Sequence, residues 1–542
     1  MVEGGEELYI RKASGLIKEV GPFTVMSIGV SYVICDGFYF FMVQAPYTFP
    51  GTNILLSMGI AGIMLSLVAL CEMFLTVAMP RAGGEYIHLS RVIHPVIGYF
   101  TSWQVWQGNT FITAVVAVTT TVFFGQLFHV IGMITGSAWW IELGKSLAVP
   151  LANPTFYIGF AVLVLIICWI LLLVGIRAYK WWINILFILP LIGGVATLAT
   201  NAYLLSGGIN LVKSGWDSTF GAGAWNEIVT VANANGWRDY VAGVWGWPGP
   251  WSMDATFASL VSSGYAWWGI GMANYVAGEV KEPSKSFGIG IPAAIVIIGA
   301  YYLIGAALIF MAYGDFISMY NYVVMGGYGD QLKINPGLTP TFSLFTYGPI
   351  LSSNPILGLI VAFTAALWMF NDIPIFPLVS SRIMFALAFD RMFPTAFAKV
   401  NRFGSPSWSI NLCMILIILG VFLTWWNPWF LGMICFTGVF WRYFWSSWAT
   451  AILPYSRPDL FERGFTWKLA GFPVASILGI ISVILTAWLM FPVMQWILTD
   501  QTYIWWTIFW WAFSIVLFIA FYAYNQKKGI DVSELYRTIP PA

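Results

Sequence analysis

The sequence predicts an all-α integral membrane protein with twelve transmembrane helices. Three observations carry this. Of 542 residues, 59% are hydrophobic and only 9% charged, against about 25% charge in a soluble globular chain; mean hydropathy is +0.80. The apolar runs last about 20 residues or more, as a membrane-spanning helix requires, whereas barrel strands need only about 9–11. The basic residues gather on one side once twelve spans are drawn.

The spans fall at about 22–46, 53–78, 96–127, 155–175, 182–206, 256–277, 290–313, 355–389, 407–426, 430–452, 472–497 and 503–524. With the N-terminus inside, 19 Lys and Arg fall on inner segments, among them Arg11, Lys12, Lys18, Arg81, Arg91, Arg382 and Arg391. Only Lys145, Lys213, Arg238 and Lys333 fall on outer loops, and Arg442 falls within a span. This positive-inside bias places both termini in the cytoplasm. The first twenty residues, with Glu3, Glu6 and Glu7, do not read as a cleavable signal, and span one is expected to act as an uncleaved anchor. The expected organisation is a cytoplasmic segment (1–21), one polytopic domain (22–526) and a cytoplasmic tail (527–542).

Span one is interrupted by Cys35-Asp36-Gly37. Span six is interrupted by Ser262-Ser263-Gly264 and again by Gly269-Ile270-Gly271. A broken helix at membrane depth survives only where its freed backbone groups face protein or a cavity. Corresponding breaks in two halves of a chain point to the substrate site of a secondary transporter. Asp36 sits in one break, where an ionised carboxylate costs roughly 2.5–3.5 kcal/mol on insertion scales and usually serves function. The outer segment at about 207–255 is rich in Gly and Trp (Trp216, Trp225, Trp237, Trp245, Trp247, Trp251), suited to the wet membrane interface; it reads as a lid or a surface cap. A second outer loop, about 314–353, carries Gly326-Gly327 and Pro336-Gly337 turn signals.

Several classes are disfavoured. No GxxxxGK[ST] loop offers ATP a site. Cys35, Cys71, Cys168, Cys413 and Cys435 lie in apolar spans at no metal or disulfide spacing, and His88, His94 and His129 lie near span ends without a partner at i+3 or i+4. Neither a metal centre, a cofactor nor a membrane-embedded enzyme is expected, and no nucleic-acid partner. A channel would need repeated filter-like segments, which are absent. A non-transporting nutrient sensor of the same fold stays open as the alternative to a transporter.

Three motifs extend the reading. The span-two exit is Met79-Pro80-Arg81-Ala82-Gly83-Gly84-Glu85-Tyr86-Ile87, followed by Gly98-Tyr99-Phe100 and Trp103. The span-six exit is Gly278-Glu279-Val280-Lys281-Glu282-Pro283-Ser284-Lys285. After span eight come Ser381-Arg382-Ile383-Met384, Asp390-Arg391-Met392-Phe393-Pro394 and Lys399-Val400-Asn401. In this order the chain resembles the amino acid–polyamine–organocation permeases over nearly its whole length. It departs from their pattern in span one, where Gly29, Ser31, Cys35, Asp36 and Gly37 replace a glycine-rich run, at Gly271, where an acid is frequent, and at Pro190, where some proton-coupled members carry lysine.

The resemblance implies two inverted repeats of five helices, about 22–206 and 256–452, plus two accessory helices at 472–524. It implies a permease for amino acids or related amines in the cytoplasmic membrane, coupled to Na+ or H+ or running as an exchanger. The substrate carboxylate is then expected at the N–H groups of Cys35, Asp36 and Gly37, and its amine at the carbonyls of Ala266, Trp267 and Trp268 beside Gly269. A broken helix exposes such groups with opposite partial charge. Tyr265 would be an aromatic gate and Phe376 a pocket wall.

Asp36 has three readings: ionised against a cationic substrate group, protonated in one state as the carrier of a coupling proton, or turned away into the bundle. Asn371 and Asp372 stand where sodium-coupled relatives carry hydroxyl ligands, with Ser31 and Ile34 supplying carbonyls; oxygen ligands suit a hard cation and a buried carboxylate suits a proton. Asp372 alternatively caps the turn before Pro374. Glu72 is expected in a structural hydrogen bond, and Arg382 and Asp390 in interfacial ion pairs or a cytoplasmic gate.

Overall fold

The computed structural model describes residues 14–149, 154–334, 338–426 and 428–540, without the side chains of 425–437 and 439. Glu3, Glu6, Glu7, Arg11, Lys12, Pro336-Gly337 and the Cys435 side chain lie outside the described residues.

Among the described residues ten helices are long and apolar enough to cross a membrane: Pro22–Thr48, Ile54–Ala78, Pro95–Thr135, Pro154–Val174, Ile176–Ser206, Pro283–Tyr313, Pro355–Phe389, Ser407–Thr424, Val474–Ile497 and Gln501–Lys527. Each overlaps an expected span. The region of span ten is a helix, Pro428–Ser456. Span six is the exception. It consists of two short helices, Met253–Ala258 and Leu260–Ala266, then two 3-10 turns, Met272–Tyr275 and Ala277–Glu279.

Several boundaries move for local reasons. Span three runs past 127 to Thr135, ending where Gly136 takes a left-handed φ of 66°. Span seven begins at Pro283 rather than 290, because proline is suited to the first helical turn. Span eight is two helices, Pro355–Asp372 and Ile375–Phe389, split at Pro374. Small residues set the close approaches, as in other membrane bundles. Gly125 and Gly144 let Pro95–Thr135 and Ala138–Ala148 touch backbone to backbone: a Cβ on Gly144 would lie 2.5 Å from the His129 nitrogen.

The outer segment is a packed cap rather than a wet belt. It folds into helices Gly208–Phe220, Ala224–Ala234 and Trp237–Tyr240. Trp216 and Trp237 are fully buried. Trp225 stacks on Phe316 at 3.5 Å, and the Trp237 indole donates to Ser318 Oγ at 3.1 Å. Only Trp251 is strongly exposed among the six, at 40%. The interfacial reading of these tryptophans therefore fails for most of them, because helix Phe316–Met325 of the second loop covers their faces.

The opposite end is strapped by the N-terminal segment. Val20 forms a parallel bridge with Val280. Glu19 pairs with Arg177 at 2.7 Å and Lys180 at 2.8 Å, and hydrogen bonds from Lys180 and then Arg177 hold its carboxyl down to about 2. The C-terminal helix Val532–Arg537 lies at the same end, where Tyr536 meets Tyr86 at 3.2 Å.

Candidate functional site

The first break is where the sequence places it. Helix Pro22–Ile34 ends at Cys35, whose ψ of −104° leaves the helical region. The chain does not then unwind into a gap. Gly37–Phe41 forms a π-helical turn that feeds Met42–Thr48, a feature frequent at functional sites. The second half therefore starts with widened turns instead of a fully freed set of N–H groups. The backbone N–H groups of Asp36 and Gly37 face the Asp36 carboxylate itself.

The second break falls at the later of its two expected places, Gly269-Ile270-Gly271. Ser262, Ser263 and Gly264 are helical, within Leu260–Ala266, so the expected first interruption of span six is corrected. Unwinding begins at Trp267, runs through 271, and continues as 3-10 turns without resuming an α-helix. Gly269, at φ 120°, supplies a conformation that side chains resist and packs where a Cβ would overlap the Tyr32 ring.

The two breaks touch. A Cβ on Gly37 would lie 2.7 Å from the Ala266 carbonyl oxygen and 2.5 Å from the Tyr302 hydroxyl. The Tyr302 hydroxyl sits between the carbonyls of Val33 and Ala266, 2.8 Å from the latter. The Ala266 carbonyl, one of the expected amine acceptors, thus competes with Val33 for the one proton of the Tyr302 hydroxyl.

Both mid-membrane acids meet at this crossing. The Tyr265 hydroxyl donates to Asp36 Oδ2 at 2.9 Å. Cys35 Sγ lies 3.0 Å from Asp36 Oδ1 and 2.7 Å from Asp372 Oδ2. Cys35 and Asp372 are fully buried and Asp36 is 7% exposed. Asp372 does not cap the turn before Pro374: one oxygen faces Cys35 and the other has no protein partner. Among the described residues no basic side chain pairs with either acid; Arg442, Arg382 and Arg91 are engaged elsewhere. A thiol carries one proton, so it cannot donate to both carboxylates. With both contacts kept, one carboxyl must itself be protonated and donate to sulfur. The three ligand atoms lie within 4.8 Å of one another, a set that could hold a metal ion. Cysteine spacing could not show this, because Asp372 comes from span eight.

The neighbours are aromatic and polar. Phe376 packs on Tyr32 at 4.4 Å, and Tyr265 packs on Phe41 at 4.6 Å and Trp268 at 5.5 Å. Trp267 instead packs on Tyr302 at 5.2 Å and against Gly62. Asn371 Nδ2 donates to Ser31 Oγ at 2.8 Å and to the Leu186 carbonyl at 3.0 Å, while its oxygen has no protein partner. Ile34 is buried as the last residue of its helix. Glu72 forms a 2.5 Å ion pair with Arg442, stronger than the expected hydrogen bond. Arg382 and Asp390 occupy two separate pairs, Arg382–Glu279 at 2.8 Å and Arg91–Asp390 at 2.6 Å.

Sequence reasoning missed Tyr32, Tyr302, Asn109 and the pairing of Arg442. Tyr32 donates to Asn109 Oδ1 at 2.5 Å. Arg442 carried a usable signal, since a charge in a span demands a partner; the tyrosines carried none in so aromatic a chain.

The model of the family described as amino acid permease matches residues 20–521. The methylthioribose transporter of Bacillus subtilis (strain 168) is 20% identical over 400 residues, 72% of this chain and 71% of the relative. The D-serine/D-alanine/glycine transporter of Escherichia coli (strain K12) is 23% identical over 423 residues, 76% of each. Among solved structures, MhsT in complex with L-phenylalanine superposes with a TM-score of 0.56 at 14% identity, covering 88% of this chain and 99% of that one. That likeness concerns the fold.

Proposed function

The chain belongs to the amino acid permease family, and from that premise we propose that it carries amino acids or related amines across the cytoplasmic membrane by alternating access. It is a multi-pass secondary transporter, not an enzyme. On our reading it has twelve spans in two inverted five-helix repeats with two accessory helices, and both termini in the cytoplasm. The basic residues at the strapped end support that orientation.

The observation that carries the substrate reading is the acidic crossing of the two breaks. Asp36 and Asp372 share the Cys35 thiol, with no basic side chain among the described residues to neutralise them. Uncompensated acids at membrane depth suit a cationic partner. The substrate ammonium takes Asp36, helped by the carbonyls at Trp267 and Trp268, and Gly269 lets the backbone turn there against Tyr32. Tyr265 and Phe376 close over the ammonium. The carboxylate, where the substrate has one, meets the N–H groups of Cys35–Gly37 once the Asp36 side chain leaves its own amides for the ammonium. Asp372, with Asn371, Ser31 and the Ile34 carbonyl, holds the coupling proton or cation. The similarity to a D-serine/D-alanine/glycine transporter supports a solute that carries an amine, whereas methylthioribose, the solute named for the other relative, carries none.

A thermal-shift panel of amino acids and amines on the purified protein, with and without sodium, tests this. A ligand at 100 times its Kd stabilises by about 2.7 kcal/mol. Neutral or basic amino acids, or amines, should raise the midpoint. Glutamate as the strongest stabiliser would overturn the assignment of Asp36.

A further inference from the structure

A second polar cluster lies beside the acidic crossing and plays no part in the reading above. It is built by the Gly83-Gly84-Glu85 turn, the short helix Glu85–Val92, the Glu72 end of Ile54–Ala78, and Arg442. Glu85 and His88 are fully buried, as are Arg442 and Tyr275 within about 1%. Glu72 takes Arg442 Nη2 through one oxygen. Among the described residues, both Glu85 oxygens, both His88 nitrogens, the Asn274 amide atoms, the Tyr275 hydroxyl and Arg442 Nε make no hydrogen bond of normal geometry, although the Tyr275 hydroxyl faces Glu85. Buried polar atoms are rarely left so.

The cluster grips the second break. A Cβ on Gly271 would overlap Glu72 Oε2. Arg442 Nη1 reaches the Met272 sulfur at 3.3 Å, and its guanidinium lies 5.4 Å from the centre of the Tyr275 ring. Gly83 donates its N–H to the Tyr275 carbonyl at 3.1 Å, and Ala82 bridges Val276.

We propose that Glu85 is a proton-binding residue that links proton occupancy to the conformation of the second break. Two carboxyls, Glu72 and Glu85, face one guanidinium. With both ionised the cluster holds one excess negative charge, and Arg442 is drawn toward Glu85 as well as Glu72. Glu85 takes one proton from water at the end of the bundle that carries Arg81 and Arg91. It then becomes a hydroxyl donor within the buried set, and Arg442 stays with Glu72 against Met272. Release of that proton returns the competition for Arg442 and shifts the backbone at 271–275. Arg442, Tyr275 and Glu72 are the groups acting on Glu85. His88 is held near 3 by burial and then by Arg442, so it stays neutral. Arg382–Glu279 and Arg91–Asp390 close on themselves nearby. Burial raises the Glu85 carboxyl to about 7 against the pull of Arg442, so it changes state near neutrality.

Infrared pH titration of the full-length protein tests this without a substrate. Wild type should show a carboxylic-acid stretch that ionises near neutral pH; Glu85→Gln should lack it, and Glu85→Asp should keep it at a shifted midpoint. The same band in wild type and Glu85→Gln overturns the proposal. A second arm, resting on the transport reading, uses glycine uptake into proteoliposomes. Between about pH 6 and pH 8 a single group centred near 7 changes occupancy about tenfold. Wild-type uptake should follow it, and Glu85→Gln should vary less than about twofold while glycine counterflow persists. An equally steep profile in the variant also overturns the proposal. If wild type moves no glycine, glycine is not its substrate, and the infrared arm still decides. If Glu85→Gln does not fold, the Glu85→Asp midpoint decides: an unshifted band contradicts the assignment.

Discussion

At the scale of single residues, the centre of the molecule is a proton count. Cys35 stands between Asp36 and Asp372, and one thiol proton does not serve two carboxylates. The closed arrangement therefore needs an added proton or cation between them. This gives Asp372 a role that the substrate does not share. Asp372→Asn removes one ionisable site and keeps the shape. It should lower ion-driven accumulation of glycine in proteoliposomes by about tenfold or more and leave counterflow within about threefold, because exchange needs no net ion movement. Equal loss of both would make Asp372 structural. Asp36 and Asp372 were legible singly, because an acid inside an apolar run is expensive. Their meeting was not legible, since 336 positions separate them and no local periodicity records the contact. Glu85 was legible only as part of a motif, and its burial is a product of the fold.

At the scale of elements, glycines decide where spans one and six cross. Gly29 faces the Ile270 carbonyl, with a Cβ there 2.7 Å away, and Gly37 faces Ala266 and Tyr302. Gly37→Ala would bring a methyl against fixed backbone, so something must shift; overpacking of this kind costs typically about 1–3 kcal/mol. We expect its thermal midpoint to fall, and glycine counterflow to fall by about tenfold, because the crossing closes less fully. A midpoint and rate equal to wild type would mean that the breaks do not close as described. Both breaks were legible from glycine and polar residues in apolar runs. In span six Gly269-Ile270-Gly271 lies within the unwound stretch, and only the earlier expected interruption was wrong, because Ser262, Ser263 and Gly264 are compatible with a helix when neighbours cover their backbone. The 3-10 course from Met272 to Glu279 was hidden as well. It is held by Arg442, Glu72 and the Gly83-Gly84 turn, all distant in sequence.

At the scale of the whole molecule, apolar length was enough to set an all-helical, multi-pass membrane fold. It could not show that the outer tryptophans pack into a helical cap, since a buried and an interfacial tryptophan look alike in sequence. Nor could it pair Arg382 with Glu279 and Arg91 with Asp390. These pairs, the Val20–Val280 bridge and the C-terminal helix gather at one end, while the cap covers the other. The substrate site we propose lies between them, at the crossing of the two broken spans, with Asp36 as its cation-binding group. Counterflow of the strongest ligand of the thermal-shift panel, in proteoliposomes of wild type beside Asp36→Asn at matched thermal stability, tests that claim most directly. Loss of a buried charge partner costs about 2–5 kcal/mol of binding, so the account predicts that Asp36→Asn falls by at least about tenfold. Counterflow by Asp36→Asn at the wild-type rate and half-saturation would contradict it.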